Sequence, residues 1–586
     1  MNPPPDHSVL LHDAERSRWL LFTAPVEVLC APTLAAVVPV LQAVDAAVQR
    51  RSLHAAGFVS YEAAPAFDPA LRTQAPDAFP LAWFGLYAAP QEVPAPAAAA
   101  GPVPELGWEP SVSAARYRAS IDRIREFIGA GDTYQVNYTL RLRTQALAEP
   151  WLLFQRLVRA QGPAYAAWVT LPEWCIACAS PELFYRQDGE CIESRPMKGT
   201  APRGLWPAAD RQRAAWLQRS RKNRAENVMI VDMVRNDLGR LAAAGSVHVS
   251  RLFAVERYPT VWQMTSTVRA ATAAGLAEVF KALFPPASIT GAPKVRTMEL
   301  IADLEDSPRR LYTGALGFLA PDRRAQFNVA IRTVLFDRRQ GTAEYGVGGG
   351  IVWDSSASAE AAECRTKARV LTQTTPEFRL LETLLWTPDA GYALLHRHLE
   401  RLAGSAEYFG FALDLSALRQ RLAETARAFP AGPQRVRLLL EASGQVAVEA
   451  APLLPLAQPW RVCLAREPVR RDDCFLYHKT THRRAYQEAL AGRPGFADVL
   501  LWNERGEVTE SCLANLVVER DGEWLTPPLR CGLLPGTQRA ELLATAQVRE
   551  AVVRVTDLPR CTRLRLANSV RGLWDVEWVP DPDPRP

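Results

Sequence analysis

The sequence predicts a mixed α/β protein made of two consecutive parts. Its 586 residues exceed what one hydrophobic core supports, so several structural units are expected. Residues 112–373 alternate densely between strand-like and helix-like segments. The alternation breaks around Thr374-Thr375-Pro376, and a second one runs from Leu380 to about residue 580. No internal repeat relates the two parts, which indicates two proteins joined end to end.

The composition excludes several classes of function. Hydrophobic residues make up 48% of the chain and charged residues 22%, as in globular proteins. The net charge of +5 is small, and no basic stripe with interleaved aromatic residues is present, so no nucleic-acid partner is expected. No apolar run reaches membrane-spanning length, and the first residues lack the basic and apolar regions of a signal peptide. A cytoplasmic location is therefore expected.

The ten cysteines form no disulfide framework. One C-x-x-C pair, Cys175 and Cys178, falls on a predicted strand, where positions three apart face opposite sides. This spacing favours two buried core cysteines over zinc or redox chemistry.

Three ranges are predicted from the changes in composition. Residues 1–90 are mixed apolar and polar, and the stretch 89–110 is rich in proline and alanine, which predicts an extended connector. The expected units are therefore residues 1–110, residues 111–375 and residues 376–586.

Lys198 is the most informative residue of the first part. Pro196 restricts the backbone before it, and Gly199 lets the chain approach a ligand closely after it. Arg195 is a cationic neighbour, and a lysine whose charge is disfavoured becomes a nucleophile or base near neutral pH. Taken alone, such a lysine is more often a solvated surface residue. The motifs around it favour the functional interpretation.

Two predicted helices carry carboxylates suited to a metal. Residues 220–241 form the first, with Glu226 on its apolar side, where a carboxylate must be paired, protonated or metal-bound. Residues 358–372 form the second, which carries Glu363 and Lys367. For either helix alone, a surface ion pair is the simpler interpretation. Two carboxylates converging on one cavity would suit Mg²⁺. The packing face of the first helix is predicted to contain Val228, Met229, Val231, Met233, Val234, Leu238 and Leu241.

Two segments expose backbone amides. Residues 288–294 lead into an apolar-periodic helix with Pro293 in its first turn, so free N–H groups could face an anion. The spacing of a phosphate loop is absent, and a helix cap alone explains the segment equally well. Residues 345–350 form a second, glycine-rich loop, which by itself is weak evidence.

Together these segments resemble the chorismate-utilising enzyme family, which includes anthranilate, aminodeoxychorismate and isochorismate synthases. The matching stretches recur in the family's order over roughly residues 110–373. They are residues 180–182, 195–200, 224–239, 290–294, 328–333, 348–352 and 363–368. Lys198 sharpens the resemblance, because the family has a lysine here in aminodeoxychorismate synthases and usually an alanine in anthranilate synthases.

The resemblance implies a fold with large, mostly antiparallel sheets and a role for each motif. Glu226 and Glu363 would hold Mg²⁺, and Glu182 would protonate the departing 4-hydroxyl of chorismate. Lys198 would attack C2, and ammonia would then enter at C4. Substrate contacts are implied for Gly199, Thr200, Thr290, Gly291, Ala292, Arg332, Gly348, Gly350 and Lys367.

One position departs from the family pattern, and one domain is missing. Gln263 stands where many relatives carry a histidine nearby, so this side chain can hydrogen-bond but cannot titrate. The sequence contains no glutaminase domain and no amidotransferase cysteine elbow, so the resemblance implies a separate glutamine amidotransferase subunit. An anthranilate synthase is the alternative for this part, and Lys198 argues against it.

The second part contains another candidate lysine, Lys479, in residues 477–481, just before a predicted helix over residues 483–490. A lysine at such an edge could form a Schiff base, although a solvated lysine is the simpler interpretation of one residue. Strand-like segments with intervening turns follow. Residues 533–539 lead into another predicted helix, whose N-terminus could bind a phosphate.

Residues 380–578 resemble the fold type IV pyridoxal-phosphate enzymes, which include branched-chain and D-amino-acid aminotransferases and aminodeoxychorismate lyase. The resemblance implies a two-part fold, often dimeric. Lys479 would form a Schiff base with the cofactor, and Glu510 would pair with its pyridine nitrogen. Further cofactor contacts are implied for Arg401, Thr537, Gln538 and Ser569.

These motifs do not separate a lyase from an aminotransferase. Fusion favours the lyase, because a synthase and a lyase of these kinds catalyse consecutive steps toward 4-aminobenzoate, the folate precursor. An amino-acid aminotransferase and a non-catalytic docking or dimerisation module are the alternatives for the second part.

Overall fold

The structure is a computed structural model, and it describes residues 2–96, 106–145, 149–372, 376–456 and 460–580. The chain divides into two compact units. The first unit contains Met1–Pro202 and Ala214–Thr375, and the second contains Arg203–Arg213 and Pro376–Pro586. The expected break at Thr374-Thr375-Pro376 falls largely outside the described residues, as does part of the expected connector.

The first unit is rich in strands. In chain order they are β1 (Ser8–Asp13), β2 (Arg18–Phe22), β3 (Glu27–Ala31), β4 (His54–Val59), β5 (Ala82–Tyr87), β6 (Gln91–Val93), β7 (Glu109–Pro110), β8 (Gln135–Gln145), β9 (Tyr165–Thr170), β10 (Trp174–Ser180), β11 (Leu183–Asp188), β12 (Cys191–Arg195), β13 (Met197–Pro202), β14 (His248–Arg257), β15 (Val261–Ala271), β16 (Gly291–Ala292), β17 (Ala315–Leu319), β18 (Ala325–Val329), β19 (Thr333–Asp337) and β20 (Thr342–Ile351).

These strands form two ten-stranded sheets, and their described pairings are antiparallel, as predicted. Sheet A has the order β16-β8-β20-β19-β10-β9-β1-β2-β6, with β7 also paired to β8. Sheet B has the order β13-β15-β12-β11-β18-β17-β4-β5-β3, with β14 also paired to β15. Both sheets combine strands from residues 1–110 with strands from residues 111–375.

The helices of this region are α1 (Leu34–Arg51), α2 (Ala114–Gly129), α3 (Pro150–Gln161), α4 (Pro207–Arg219), α5 (Arg221–Gly239), α6 (Leu276–Leu283), α7 (Lys294–Leu304) and α8 (Ala357–Ala368). Helix α4 begins in the segment that belongs to the second unit. Serine side chains cap the N-termini of α2, α5 and α8, since Ser113, Ser220 and Ser356 each accept a backbone hydrogen bond.

The two sheets pack face to face, and helices cover their outer sides. Ala56 and Phe58 of β4 join a core shared by both sheets, whereas Ala55 and Val59 join the core beneath α1, α5 and α6. This follows from the alternation of side chains along a strand. Another core lies between the outer side of sheet A and helices including α2 and α3.

The two cysteines of the C-x-x-C pair lie on β10, as predicted. Cys175 belongs to the core on the outer side of sheet A, and Cys178 belongs to the core between the sheets. Both are buried, and neither forms a disulfide. The prediction of two core cysteines on opposite faces is confirmed.

The second unit contains two sheets. Its strands are β21 (Leu380–Thr387), β22 (Gly391–Tyr392), β23 (Gln434–Leu440), β24 (Val446–Pro452), β25 (Arg461–Leu464), β26 (Asp498–Trp502), β27 (Val508–Ser511), β28 (Asn515–Arg520), β29 (Glu523–Thr526), β30 (Arg549–Glu550), β31 (Arg563–Asn568) and β32 (Gly572–Trp578). Its helices are α9 (Leu395–Phe409), α10 (Leu415–Ala426), α11 (Arg484–Ala491) and α12 (Thr537–Ala544).

The smaller sheet has the order β22-β21-β23-β24, and one of its faces packs on α9 and α10. The larger sheet has the order β27-β26-β25-β32-β31-β28-β29-β30. Three of its pairings are parallel: β25 with β26, β25 with β32, and β29 with β30. This division into two sheets agrees with the two-part fold predicted for residues 376–586.

The segment Arg203–Arg213 packs within the second unit. The Arg203 guanidinium donates a hydrogen bond of 2.8 Å to the carbonyl oxygen of Tyr408 and lies over its ring. The indole of Trp206 stacks on Tyr477, with ring centroids 5.3 Å apart. The second unit is therefore built from two stretches of sequence that are far apart in the chain.

Throughout the described part of the chain, every helix is too short or too polar to cross a lipid bilayer.

Candidate active sites

A cavity of about 430 Å³ in the first unit collects most of the residues predicted for its chemistry. Strand β13 contributes one wall, β20 another, and α5 and α8 supply charged side chains. The predicted residues that line it are Glu182, Lys198, Gly199, Thr200, Glu226, Arg332, Gly348, Gly350, Glu363 and Lys367.

The backbone around Lys198 is held by a buried amide. Asn227 of α5 donates a hydrogen bond of 3.3 Å to the carbonyl oxygen of Lys198, and Ser266 donates one of 2.5 Å to Asn227. A Cβ atom built at Gly350 would lie 3.1 Å from the Lys198 amine and 2.1 Å from the amide nitrogen of Gln135. A glycine at this position therefore allows the lysine amine to lie against β20.

Burial is the main influence on the protonation of Lys198. It lowers the pKa of the lysine, because the charged form loses solvation in the cavity. The nearby positive charge of Lys367 lowers the pKa as well. Three carboxylates, Glu226, Glu182 and Glu363, act in the opposite direction. The net result is an amine that loses its proton at lower pH than an ordinary lysine.

Arg195 was expected to lower the pKa of Lys198 through its positive charge, but another residue does so. Its guanidinium pairs with Glu256 at 3.3 Å, at the end of the strand that precedes Lys198. The cation that lowers the pKa of Lys198 is Lys367 of α8. The expected effect is therefore present, but burial and a residue distant in sequence produce it.

Glu182 has the environment of a proton donor. It lies just before β11, is almost wholly buried, and accepts a hydrogen bond of 3.3 Å from the backbone nitrogen of Met197. Burial raises the pKa of this carboxyl, although Ser288 and the charge of Lys198 act to lower it. A carboxylic acid with a raised pKa keeps its proton closer to neutral pH, as general acid catalysis requires.

The two carboxylates predicted to bind metal face the same cavity. Glu363 pairs with Lys367 at 2.7 Å, and Glu226 lies 4.0 Å from Lys222. The negative charge of Glu363 raises the pKa of Glu226, after the larger effect of burial, so the two carboxylates influence each other. In the described ranges, no group of three or more histidine, cysteine or acidic side chains is arranged to hold a metal ion.

These two carboxylates nevertheless fit Mg²⁺. That ion is commonly bound through one or two protein carboxylates, with water and substrate oxygens completing its shell. Glu360, one turn before Glu363, accepts a hydrogen bond of 2.7 Å from Ser355.

Lys367 and Arg332 lie beside the glycine-rich strand. The Lys367 amine donates a hydrogen bond of 2.7 Å to the carbonyl oxygen of Gly348, and Arg332 donates to the carbonyl oxygen of Lys367. Arg332 has a φ of 54°, a left-handed conformation that is uncommon outside glycine. Two cations thus lie close to the backbone of β20, at glycine positions that line the cavity.

The position of Gln263 is also at the cavity wall. Its side-chain oxygen accepts a hydrogen bond of 2.7 Å from the hydroxyl of Thr200. The hydroxyl of Tyr258 donates one of 3.1 Å to the carbonyl oxygen of Pro181, next to Glu182. These polar groups form a wall without a histidine.

Thr290, Gly291 and Ala292 do not line this cavity. Gly291 and Ala292 form β16, which pairs with β8, and all three residues are buried. Ser288 and Ile289 line the cavity in their place. The amine of Lys294, at the start of α7, pairs with Asp237 at 2.9 Å.

A second cavity, of about 560 Å³, lies in the second unit. It is lined by five of the residues predicted to bind a cofactor, namely Lys479, Arg401, Glu510, Thr537 and Ser569. Gln538, the sixth, does not line it, although it follows Thr537 at the start of α12.

Lys479 lies in a loop tied to the small sheet. The backbone nitrogen of Leu381 donates a hydrogen bond of 2.9 Å to the carbonyl oxygen of Lys479. Burial lowers the pKa of Lys479 to about 8, and the charges of Arg401 and Arg483 contribute. More of this lysine is therefore neutral, and so nucleophilic, near physiological pH than of an ordinary lysine.

The Glu510 carboxyl accepts three hydrogen bonds. It accepts hydrogen bonds from the Tyr486 hydroxyl at 2.8 Å, the Leu534 backbone nitrogen at 3.0 Å and the Asn515 amide at 3.0 Å. Burial raises the pKa of Glu510 to about 7. A carboxyl with such a pKa can share a proton with a pyridine nitrogen.

Arg401 is oriented by a buried carboxylate. Its guanidinium donates to both oxygens of Glu382, at 2.9 Å and 2.6 Å, and to the carbonyl oxygen of Pro535 at 3.1 Å. Burial alone would raise the pKa of Glu382, but Arg401 and His398 hold it at about 2. The carboxylate thus stays charged and keeps Arg401 in one orientation.

The start of α12 lies in the same cavity. A Cβ atom at Gly536 would be 1.8 Å from the Asn515 side-chain oxygen, and no side chain caps this helix. An arginine, a helix N-terminus, a lysine with a lowered pKa and a protonatable carboxyl together fit the phosphate, aldehyde and pyridine groups of pyridoxal phosphate.

Comparison with known proteins assigns the two parts. Residues 6–373 match the family model described as chorismate binding enzyme, and this range covers more than half of the chain. The chain belongs to the chorismate-binding enzyme family. Residues 379–578 match the model described as amino-transferase class IV. Both folds expected from the sequence are confirmed, and the second part is of a class that implies pyridoxal phosphate.

Relatives of this family member resemble its first part. Aminodeoxychorismate synthase component 1 of Salmonella typhimurium is 40% identical over 258 residues, covering 44% of this chain and 56% of the relative. Anthranilate synthase component 1 of Streptomyces coelicolor is 39% identical over 282 residues, covering 47% and 55%. The chain thus spans about half the length of these curated relatives.

Anthranilate synthase component I from Streptococcus pneumoniae has a similar solved structure. It is 21% identical, covers 64% of this chain and 94% of its own length, and gives a TM-score of 0.53. At this identity the likeness concerns the fold.

Several site residues of this chorismate-binding chain were not predicted. Asn227 lies inside a matching motif, so its burial could have been anticipated from its place beside Glu226. The segment 288–294, predicted to face an anion, contains Ser288. Gln135 and Tyr486 carry no local signal. They reach the sites because their strands, turns and helices meet there in the folded chain.

Proposed function

We propose that this chain converts chorismate to 4-aminobenzoate in two steps at two sites. The first site would replace the 4-hydroxyl of chorismate with an amino group, giving 4-amino-4-deoxychorismate. The second would remove the enolpyruvyl group as pyruvate. The observation that carries the proposal is Lys198, whose amine lies in a cavity with Glu182 and has a lowered pKa.

The amination can be assigned to side chains of the first cavity. The neutral amine of Lys198 forms a bond to C2, the ring double bonds shift, and the 4-hydroxyl leaves as water with the proton of Glu182. Ammonia then forms a bond to C4, the double bonds shift back, and the bond between C2 and Lys198 breaks. The raised pKa of Glu182 and the lowered pKa of Lys198 support these roles, because each shift favours the protonation state that the role requires.

Binding of the substrate carboxylates is assigned to two pairs of side chains. Glu226 and Glu363 would hold Mg²⁺, which supplies a positive charge for the ring carboxylate. Arg332 and Lys367, beside Gly348, would bind the enolpyruvyl carboxylate through charge-assisted hydrogen bonds.

The second step is assigned to the cavity around Lys479. Pyridoxal phosphate, when bound, supplies an electron sink for charge that develops at the carbon bearing the amino group. Arg401 and the amides of Thr537 and Gln538 would hold its phosphate, with Ser569 nearby. Glu510 would keep its pyridine nitrogen protonated.

Lys479 would move the proton in this step. Its neutral amine takes the proton from C4, the bond between C3 and the ether oxygen breaks, and enolpyruvate leaves to become pyruvate. The ring that remains is aromatic 4-aminobenzoate. The fusion itself supports this assignment over amino-acid transamination, because the two steps are consecutive.

The ammonia source is proposed to be a separate glutamine amidotransferase. The names of relatives such as aminodeoxychorismate synthase component 1 support a second component. A homodimer through the second part and a cytoplasmic location stay predictions.

Product analysis tests the proposed function. Purified chain is incubated with chorismate, Mg²⁺, ammonium and pyridoxal phosphate, and products are separated by liquid chromatography with mass detection. Equal amounts of 4-aminobenzoate and pyruvate are expected. Anthranilate would contradict the role of Lys198, and accumulation of 4-amino-4-deoxychorismate alone would contradict the lyase assignment.

A further inference from the structure

Strand β23 separates an apolar face from a charged one. The residues of its apolar face pack in the core with α9 and α10: Val436, Leu438 and Leu440. Arg435 and Arg437 alternate with them and line the cavity that contains Lys479. Thr383 of β21, the cross-strand partner of Arg437, lines the same cavity. The two arginines are thus directed at the second site by the pleat of the strand.

This cavity carries more positive than negative charge. Its described lining contains six cations, Arg401, Arg435, Arg437, Lys479, Arg483 and Arg571, and one carboxyl, Glu510. Arg401 is neutralised by the buried Glu382. The proposed cofactor contacts account for Arg401, Lys479 and Glu510, and leave the arginines of β23 without a role.

The charges of the two β23 arginines are only weakly balanced. Arg437 pairs with Glu449 at 3.2 Å, but both side chains are about half exposed, where an ion pair contributes little. Arg435 has no ion pair within the described ranges. Both guanidinium groups can therefore bind an anionic ligand without breaking a strong ion pair within the chain.

We propose that Arg435 and Arg437 select a dicarboxylate substrate at the second site. Residues two apart on a strand are ~7 Å apart, a span suited to two carboxylates carried by one small molecule. Each guanidinium would bind one carboxylate through charge-assisted hydrogen bonds. The inference rests on the proposed function, because 4-amino-4-deoxychorismate carries a ring carboxylate and an enolpyruvyl carboxylate.

The arrangement also favours the lyase over an aminotransferase that acts on amino acids with a single carboxylate. An amino acid with one carboxylate would leave one arginine without a charged partner and would gain only part of the binding energy. The surroundings of β23 support this position for the substrate. Ser569, in the turn between β31 and β32, donates a hydrogen bond of 3.3 Å to the carbonyl oxygen of Thr383, which holds β21 against that turn.

The test uses Arg435→Met, Arg437→Met and the double variant in the full chain. Arg437→Lys keeps the charge, and Arg419→Met removes an exposed arginine of α10 as a matched control. With purified 4-amino-4-deoxychorismate, each methionine variant is expected to raise KM about 10- to 100-fold, as expected for the loss of a hydrogen bond between charged groups. The kcat should change little, and Arg437→Lys should recover part of the loss.

Binding is measured separately from turnover. Isophthalate, an aromatic dicarboxylate, and benzoate, its monocarboxylate counterpart, are titrated calorimetrically into the chain loaded with pyridoxal phosphate. A Lys198→Ala/Arg332→Met background removes catalysis at the first site and weakens carboxylate binding there. Isophthalate should bind more tightly than benzoate, and this preference should disappear in the double variant but persist in Arg419→Met.

Each result supports or contradicts the proposal. Equal binding of isophthalate and benzoate by the starting chain, or unchanged KM in both methionine variants, would overturn it. If the proposed lyase function is wrong, the chain should not eliminate pyruvate from 4-amino-4-deoxychorismate, although it should still bind isophthalate more tightly than benzoate. The absorbance of bound pyridoxal phosphate, equal in all variants, shows that the second unit has folded and loaded.

Discussion

The protonation of Lys479 provides a quantitative prediction. Burial and two neighbouring cations lower its pKa from an ordinary 10.5 to about 8. At pH 8, about half of the Lys479 amines are therefore neutral, compared with about 0.3% for an ordinary lysine. The difference corresponds to about 3 kcal/mol between the two protonation states. The neutral amine reacts with pyridoxal phosphate, so the initial rate of cofactor attachment should rise with pH and level off above about 8.

The perturbation is Arg483→Met, which removes one of the two cations that lower the pKa of Lys479. The sign follows directly, because loss of a nearby positive charge makes protonation easier. The midpoint should move upward by about 0.5 to 1 pH unit, and not to 10.5, since burial is the largest cause and is retained.

The assay uses short pulses of pyridoxal phosphate on the cofactor-free chain at pH 6.5–10.5, each ended with borohydride. Mass spectrometry of the Lys479 peptide then gives the fraction modified, and Lys479→Ala gives the background. Arg484→Met, on the exposed neighbouring arginine, is the matched control and should leave the midpoint near 8. A midpoint near 10.5 in the starting chain would contradict the effect of burial on Lys479, and no upward shift in Arg483→Met would contradict the effect of the Arg483 charge.

Three further predictions concern the first site and the stability of each unit. Glu182→Gln should lower kcat for amination about 100-fold or more. In the starting chain the rate should fall at alkaline pH as Glu182 loses its proton, and this fall should be absent in the variant. An alkaline fall that is unchanged in the variant would contradict the role of Glu182 as the acid. Arg309→Met leaves the carboxylate of Glu305, 2.6 Å away, buried without this partner, and should cost about 3–5 kcal/mol in urea unfolding of the first unit; a loss below about 1 kcal/mol would count against it. Trp206→Ala should destabilise the second unit by about 2 kcal/mol because it removes the stack on Tyr477, whereas Trp206→Phe should retain most of the stability. Unfolding of the second unit is followed by the absorbance of bound pyridoxal phosphate. Equal stability of the two variants would contradict the role of this stack.

The residues proposed for catalysis at the first site were predicted from sequence motifs together with the family resemblance. Glu182, Lys198, Glu226 and Glu363 line one cavity as expected. The helix predicted over residues 220–241 begins after the Ser220 cap and ends at Gly239. Periodicity and capping act within one helix, so one stretch of sequence is sufficient to predict them.

The packing of that helix could not be predicted in the same way. Val228, assigned to its packing face, is exposed, whereas the polar residues Asn227 and Asp237 are buried. Their partners are Ser266 and Lys294, which come from distant parts of the chain. Burial of a polar side chain depends on such partners, and an apolar pattern contains no information about them.

Tertiary contacts also explain two other differences between the sequence prediction and the structure. The backbone of residues 290–292 pairs with β8 and is covered by it, so a segment expected to face an anion is instead internal. The segment Arg203–Arg213 follows directly on the strand that carries Lys198, yet it packs in the second unit. Neither outcome follows from local propensity, since both depend on tertiary contacts.

Two different lysines are proposed to carry out consecutive steps in one chain. The most direct test measures products from chorismate, Mg²⁺, ammonium and pyridoxal phosphate with Lys198→Ala, with Lys479→Ala, and with the two variants mixed. Lys198→Ala should form no 4-amino-4-deoxychorismate but should convert added 4-amino-4-deoxychorismate to 4-aminobenzoate. Lys479→Ala should accumulate 4-amino-4-deoxychorismate, and the mixture should restore 4-aminobenzoate and pyruvate. Formation of 4-aminobenzoate from chorismate by either variant alone would contradict the account.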